Sequence, residues 1–312
     1  MILILCWIVL LVLDLAVSGI FRAAAGVPFK RVFLWGLLSL LLPPAAILYG
    51  SLIERNTFRV KEIELAYENL PEEFKGYRIA HISDIHARSF SERKRSLQRA
   101  VNKINGLSPD MIAFTGDLIS MKPDELDKLS DVLSSLRAKN GIFSVLGNHD
   151  YCMYSDMSQE EKQKCLEELI SKEGEMGWDL ILNEHRIIRK GKDSIAVIGV
   201  ENTSPSRHFP SKGDLNKASE GTEGMFRILL SHDPMHWEAE VIGKDYPLTL
   251  SGHTHAMQVS FFGWSPSSLI FKQHKGLYTE GNQSIYVNKG LGETIFPARI
   301  GARPEITLIT LK

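Results

Sequence analysis

Cysteine is scarce in this chain: Cys6, Cys152 and Cys165 are the only three among 312 residues. That excludes a disulfide framework. Cys6 lies in an apolar N-terminal run, so only Cys152 and Cys165 remain to pair, should the domain meet an oxidising compartment. An excess of either charge is also missing. The 36 Lys and Arg against 37 Asp and Glu leave a formal net charge of −1. Nucleic-acid binders carry a basic excess, so no nucleic-acid partner is expected. There is no internal repeat and no low-complexity tract, and the composition is that of an ordinary globular protein.

The first fifty residues differ from the rest. Met1 to Leu13 is almost wholly apolar, is interrupted by Asp14 and resumes to Phe21. Phe33 to Leu52 is a second apolar run and contains Pro43-Pro44. Each approaches the roughly 20 residues a helix needs to span a bilayer. A secretory leader would carry a basic n-region, and a soluble hairpin would show a polar face. Residues 1–54 therefore read as a membrane anchor, with helices at about 1–21 and 33–52 and a kink or break at the prolines. Arg22, Lys30 and Arg31 lie between the runs without an acidic residue, which places that loop in the cytoplasm. The chain after Leu52 then stands on the extracytoplasmic face of an inner membrane, although Arg55, Arg59 and Lys61 weaken the bias. Asp14 is costly in lipid, so it should face the second helix or lie near the interface.

Residues 55–312 alternate strand and helix patterns. Phe58 to Ala66 alternates apolar and polar residues as a half-buried strand. Tyr77 to Ser83, Met111 to Thr115 and Ile142 to Leu146 read as buried strands. Helical periodicity covers Glu92 to Ile104 and roughly Asp124 to Ala138. Gln159 to Ile170 is helical within a polar excursion. Asp179–Leu182, Arg186–Arg189 and Ile195–Val200 follow as strands, the last two joined by a hairpin turn at Lys190 to Asp193. Asn202 to Gly224 reads as a mobile loop. Phe226–Leu230, Pro247–Leu250, Ser284–Asn288 and Glu305–Leu311 complete the strands.

Strand after strand ends in a polar cluster: Asp84-Ile85-His86, Gly116-Asp117, Gly147-Asn148-His149-Asp150, His232, then His253-Thr254-His255. In right-handed parallel βαβ units those ends line one edge of the sheet. Five of the ten histidines fall in these clusters. Mixed imidazole and carboxylate donors suit Mn, Fe, Zn, Co or Ni. Asp84, His86, Asp117, Asn148, His232, His253 and His255 exceed the needs of one ion, so two divalent ions sharing a carboxylate are expected. His149 offers a proton near neutral pH, and Asp150 could orient its imidazole.

The order of these five blocks resembles the calcineurin-like metallophosphoesterases, from about Tyr77 to the C-terminus. The two N-terminal runs are similar to the membrane-anchored bacterial branch of that family. The resemblance implies an α/β fold: a β-sandwich of two mixed sheets flanked by helices (α/β/β/α), preceded by a transmembrane hairpin. It also implies one metal held by Asp84, His86 and His255, a second held by Asn148, His232 and His253, and Asp117 bridging both. A metal-bridging hydroxide would attack a phosphodiester or pyrophosphate, with His149 aiding charge or proton transfer. The hairpin points to a substrate in or near the bilayer, and the resemblance implies a lipid-linked, UDP-diacylglucosamine-like one. A soluble phosphomonoesterase or nucleotidase, or a non-catalytic metal-binding scaffold, are the competing readings.

Lesser candidates remain. His81 should point away from Asp84 into the core. Asn183-Glu184-His185 reads as turn and surface. Lys289, Arg299 and Arg303 read as solvated surface, with Lys289 and Arg299 as alternative holders of a substrate phosphate. Phe261, Phe262 and Trp264 would either pack in the core or line an acyl or membrane-facing surface.

Overall fold

The structure, a computed structural model, describes residues 2–294 and 296–312. Met1, at the start of the first apolar run, lies outside the described residues. Helix α1 (Ile2–Ala25) continues past Phe21, so Arg22 falls in its last turn. Helix α2 (Phe29–Gly36), a 3-10 turn (Leu37–Leu41) and α3 (Leu42–Leu52) make the second arm. The prolines sit in the first turn of α3, where a missing N–H costs no helical hydrogen bond. The break therefore lies just before them. Trp7 to Ala25 and Phe29 to Asn56 are each long and apolar enough to cross a membrane. The Asp14 carboxylate fills the place a side chain at Gly36 would need, so it faces the second arm.

The rest of the chain stacks two six-stranded mixed sheets between helices. The first sheet takes β1 (Arg59–Leu65), β2 (Arg78–Ile82), β3 (Met111–Phe114), β4 (Ile142–Ser144) and β5 (Asp179–Leu180). The second takes β6 (Glu184–Lys190), β7 (Asp193–Gly199), β8 (Phe226–Leu230), β9 (Leu248–Ser251), β10 (Gly276–Glu280) and β11 (Gln283–Val287). β12 (Glu305–Leu311) returns to the first sheet, giving the order β1-β12-β2-β3-β4-β5. The second runs β10-β11-β9-β8-β7-β6. β2 to β5 are mutually parallel, as are β7, β8, β9 and β11.

Burial explains the strand sequences. β3, β4, β8 and β9 are buried at every residue, hence their mainly apolar character, with Ser144, Arg227, Thr249 and Ser251 as the polar exceptions. Ile79, Met111, Phe143, Val197, Ile228, Leu248 and Ile309 fill the space between the sheets. Helices α4 (Lys94–Gly106), α5 (Ser130–Leu133) and α6 (Gln159–Glu175) cover the outer face of the first sheet through Leu97, Val101, Leu133, Leu166 and Leu169. Leu215 and Ala218 of α7 (Leu215–Ser219) cover the outer face of the second. This is the expected α/β/β/α sandwich.

Two expectations fail. The helix over Asp124–Ala138 is broken into a 3-10 turn at Pro123–Leu126 and the single turn of α5. The Glu125 carboxylate takes the backbone N–H groups of Arg88, Ser120, Met121 and Lys122, and Asn105 captures the Ser135 carbonyl and the Arg137 N–H. The Glu125 bonds cap the 3-10 turn, whereas the Asn105 bonds compete with helix after Ser134. The segment from Asn202 to Gly224 is tied down and carries α7. Asn183 bonds Glu201, Lys212 and Asp214, and Asn202, Thr203, Leu215 and Ala218 are buried.

Candidate metal centre

Parallel strands deliver their ends to one rim. β2 leads to Asp84 and His86, β3 to Asp117, β4 to Asn148 and His149, β8 to His232, and β9 to His253 and His255. The side chains meet in two groups. In one, His86 Nε2 lies 3.0 Å from His255 Nε2, which lies 3.2 Å from Asp84 Oδ1. In the other, Asn148 Oδ1 lies 2.8 Å from His253 Nδ1 and 3.2 Å from His232 Nε2. Asp117 Oδ2 joins them, 3.6 Å from His86 Nε2 and 3.2 Å from His232 Nε2. All seven sequence-predicted ligand residues are therefore together.

The backbone is bent to achieve this. Asp84, His86, Asp117, His253 and His255 have φ between 44° and 71°, the left-handed region that favours glycine. Each such residue costs on the order of 1 kcal/mol or more, a strain that clusters at functional sites. Gly147 has no alternative, because a Cβ there would collide with the Asp117 carboxylate.

The charges fit a cation site. Burial alone would raise Asp117, but the imidazoles of His232, His149 and His86 hold its carboxyl well below the ordinary value. Asp84 is likewise held down against its burial, by His255 and His232. Burial pushes His86 and His253 downward, leaving neutral imidazoles. Burial opposes a charged His232, yet Asp117 lifts it to about 10. Ionised carboxylates and neutral imidazoles are what a divalent ion requires of its donors, and His232 would give up the proton that Asp117 draws to it on binding one. Three overlapping groups could hold ions: Asp84 with His86 and His255, Asp117 with His232 and His253, and His86 with Asp117 and His149.

The expected role of Asp150 needs correction. Its carboxylate does not touch the His149 ring. It accepts the backbone N–H groups of Asp117, Leu118, Ile119 and Gly147 at 2.8–3.1 Å. Burial, with Asp117 close by, pushes Asp150 up to about 7 against those four donors. Asp150 shapes the turn that presents Asp117. The His149 imidazole is oriented instead by the Ser120 carbonyl, 2.8 Å from Nδ1. Tyr154, which no periodic pattern singles out in the sequence, packs on His149 with ring centroids 4.1 Å apart. Its hydroxyl accepts the Asn148 Nδ2 proton at 2.8 Å, which turns Asn148 Oδ1 toward His253 and His232.

Other candidates separate cleanly. His81 is buried against Thr115, and burial lowers its pKa to about 3, as expected of a core residue. Arg299 is neither surface nor phosphate holder. It is fully buried and spends its donors on the carbonyls of Lys289, Gly290, Gly292 and Ala302. Lys289 pairs with Glu305 and Arg303 with Glu54. Asn183 is buried, not surface. Phe261, Phe262 and Trp264 are exposed, so core packing is excluded for them. Cys152 and Cys165 are joined by a disulfide that ties the turn after His149 to α6.

With this geometry in view, comparison with known proteins is direct. The sequence pattern of the calcineurin-like phosphoesterases matches residues 77–257. The chain belongs to that metal-dependent hydrolase family, whose members act on phosphate esters. It is 32% identical over 288 residues to a zebrafish (Danio rerio) "transmembrane protein with metallophosphoesterase domain", covering 88% of this chain and 62% of that protein. It is 30% identical to the uncharacterized metallophosphoesterase YkuE of Bacillus subtilis, covering 85% of this chain and 89% of the relative. The UDP-2,3-diacylglucosamine pyrophosphatase LpxG of Chlamydia trachomatis is 27% identical, with 80% of this chain and 88% of that protein aligned.

Proposed function

We propose that this chain is a membrane-anchored phosphohydrolase with a dinuclear metal site, cleaving phosphodiester or pyrophosphate bonds in a lipid-linked, UDP-diacylglucosamine-like substrate. The observation that carries the reading is the pair of donor groups joined through Asp117 Oδ2. Asp84, His86 and His255 would hold one ion, Asn148, His232 and His253 the other, and Asp117 both. Two divalent ions from the Mn, Fe, Co, Ni and Zn group would supply Lewis acidity, activating water and neutralising phosphoryl charge.

The chain's own groups do the rest. The Asp117 carboxylate is fixed through Oδ1 by the His149 backbone N–H, leaving Oδ2 for the rim. His149 Nδ1–H donates to the Ser120 carbonyl, so Nε2 is an acceptor in the neutral ring and donates to a phosphoryl or leaving oxygen only as the imidazolium. Asp150 holds the loop that carries both.

Residues 1–54 would be the anchor and 55–312 the catalytic domain. A basic loop between the apolar helices and the disulfide after His149 both favour an extracytoplasmic domain on an inner membrane. The homologue named as a UDP-2,3-diacylglucosamine pyrophosphatase supports the substrate class.

The test is turnover by the full chain in detergent, loaded with metal. A bis-aryl phosphodiester, an aryl monoester and a lipid pyrophosphate would be compared. Hydrolysis of the diester and the pyrophosphate is expected. Hydrolysis of the monoester alone would overturn the bond assignment, and no turnover with two ions bound would leave a scaffold.

A further inference from the structure

A cavity of ≈ 630 Å³ opens beside the rim, within the range of sites that take small organic ligands. Its lining joins His149 of the rim to Arg55, which follows shortly after the last residue of α3. Arg88 and Arg93 also line it. Arg93 is fully engaged: Nε donates to Ser89 O at 2.9 Å, Nη1 to Asn56 Oδ1 at 3.1 Å and Nη2 to Glu293 Oε2 at 2.7 Å. That pairing engages Glu293 Oε2 and leaves its Oε1 buried without a partner, and Glu92 is the other acidic residue in the lining.

The other two guanidinium groups are differently placed. Arg88 is exposed, and among the described residues its guanidinium has no acceptor. Arg55 gives Nη1 to the Pro297 carbonyl at 2.9 Å, while its Nε is buried without a partner. A buried N–H with no acceptor is costly, and an anion would satisfy it. Met121, Phe296 and Pro297 add an apolar wall to the same cavity.

The surroundings point to lipid. The Arg299 N–H meets the Gly50 carbonyl of α3 at 3.4 Å, and the neighbouring Ile300 carbonyl accepts the Ser260 N–H at 2.8 Å. Ser260 leads into Phe261, Phe262 and Trp264, all exposed. Exposed aromatic side chains and the exit of the apolar hairpin thus share the segment that adjoins Pro297.

We propose that this cavity is a second anion subsite, in which Arg88 and Arg55 hold a phosphate group of an amphipathic, membrane-resident ligand. The proposal rests on the phosphohydrolase reading and deepens it: the substrate carries one phosphoryl group at the rim and a second anionic group here. Guanidinium groups bind phosphate oxygens in pairs, which suits the free Arg88 fork beside Arg55, whose Nη1 already serves the Pro297 carbonyl.

Binding can be read without turnover and without metal. Full-length, chelator-treated protein in detergent is titrated calorimetrically with dihexanoyl phosphatidic acid. One saturable site is expected. Arg88→Ala should weaken it by at least about tenfold, the loss of one charge-assisted contact. Arg55→Gln should weaken it comparably, and Arg88→Lys should recover part of the affinity. Arg88 is exposed and unpartnered, so its replacement leaves the fold intact, which the melting temperature of the variant confirms. Unchanged affinity in Arg88→Ala overturns the subsite. Inorganic phosphate is the soluble arm, and equal affinity for it overturns the lipid assignment. Failure of the metal-loaded chain to hydrolyse any ester, with this binding intact, counts against the phosphohydrolase reading alone.

Discussion

The N-terminal hairpin and the strand-end rim depart from the usual inside–outside rule in opposite directions. Along α1 and α3, Val12, Leu13, Ile20, Leu48 and Leu52 are exposed around a buried Asp14 and Ser18. At the rim, Asp84, His86, Asp117, Asn148 and His232 are each no more than 2% exposed. Apolar helices that face outward are stable where lipid covers them. Buried ionic groups are stable where each charge is matched. Burial by itself therefore marks neither region. The mark is a side chain set in surroundings opposite to its chemistry, apolar outside in one case and ionic inside in the other.

The comparison can be broken most directly at Asp117. Asp117→Ala should abolish metal binding and turnover together, a loss of at least about 10³-fold in rate. Elemental analysis beside a diester assay reads both, and a variant that keeps its metals and its rate would sink the shared-carboxylate reading. His149→Ala should retain the metals and lose about 10²–10⁴-fold in kcat, the usual scale of a proton donor. Full activity would remove His149 from the chemistry.

Glu173 sharpens the contrast. It is buried behind β4 with the Ser144 hydroxyl at 2.6 Å, and burial pushes it up to about 8. Its folded pKa exceeds its unfolded value, so its destabilising ionisation sets in as pH rises from about 4.5 to about 8. Glu173→Gln should therefore gain roughly 2–3 kcal/mol relative to the parent between pH 6 and pH 8. Denaturant midpoints at the two pH values measure this, and a constant difference would mean that Glu173 is already ionised at pH 6. A smaller effect is expected at the disulfide. Its bridge spans a sequence separation of 13 residues. Cys152→Ser with Cys165→Ser should cost about 2–3 kcal/mol, chiefly by freeing the unfolded chain. An unchanged melting temperature would show that the turn after His149 is held by packing alone.

Much of this was legible before any coordinates. β2, β3, β4, β8 and β9 are so deeply buried that their apolar runs stand out, and the rim residues follow each within a few positions. Other features left no local trace. β10 is an edge strand with alternately half-exposed and exposed residues, so no apolar face betrays it. Arg299 lies in a polar, glycine-rich stretch, and only tertiary packing brings five carbonyl and imidazole acceptors around it. Asp150 misled because adjacency to His149 in sequence suggested a contact. Its carboxylate turns back to the Gly147 N–H instead. The early end of the expected helix has the same origin, since the Asn105 side chain claims the Ser135 carbonyl and the Arg137 N–H that the apolar period assigned to helix.

The placement of β12 between β1 and β2 has one more consequence. During synthesis the hairpin and the first strands leave the ribosome long before residue 311 does. Until then β1 has no neighbour in its sheet, because it pairs with β12 alone. The nascent domain must wait, open along one seam, for its keystone to arrive, and in that interval it has most need of a chaperone.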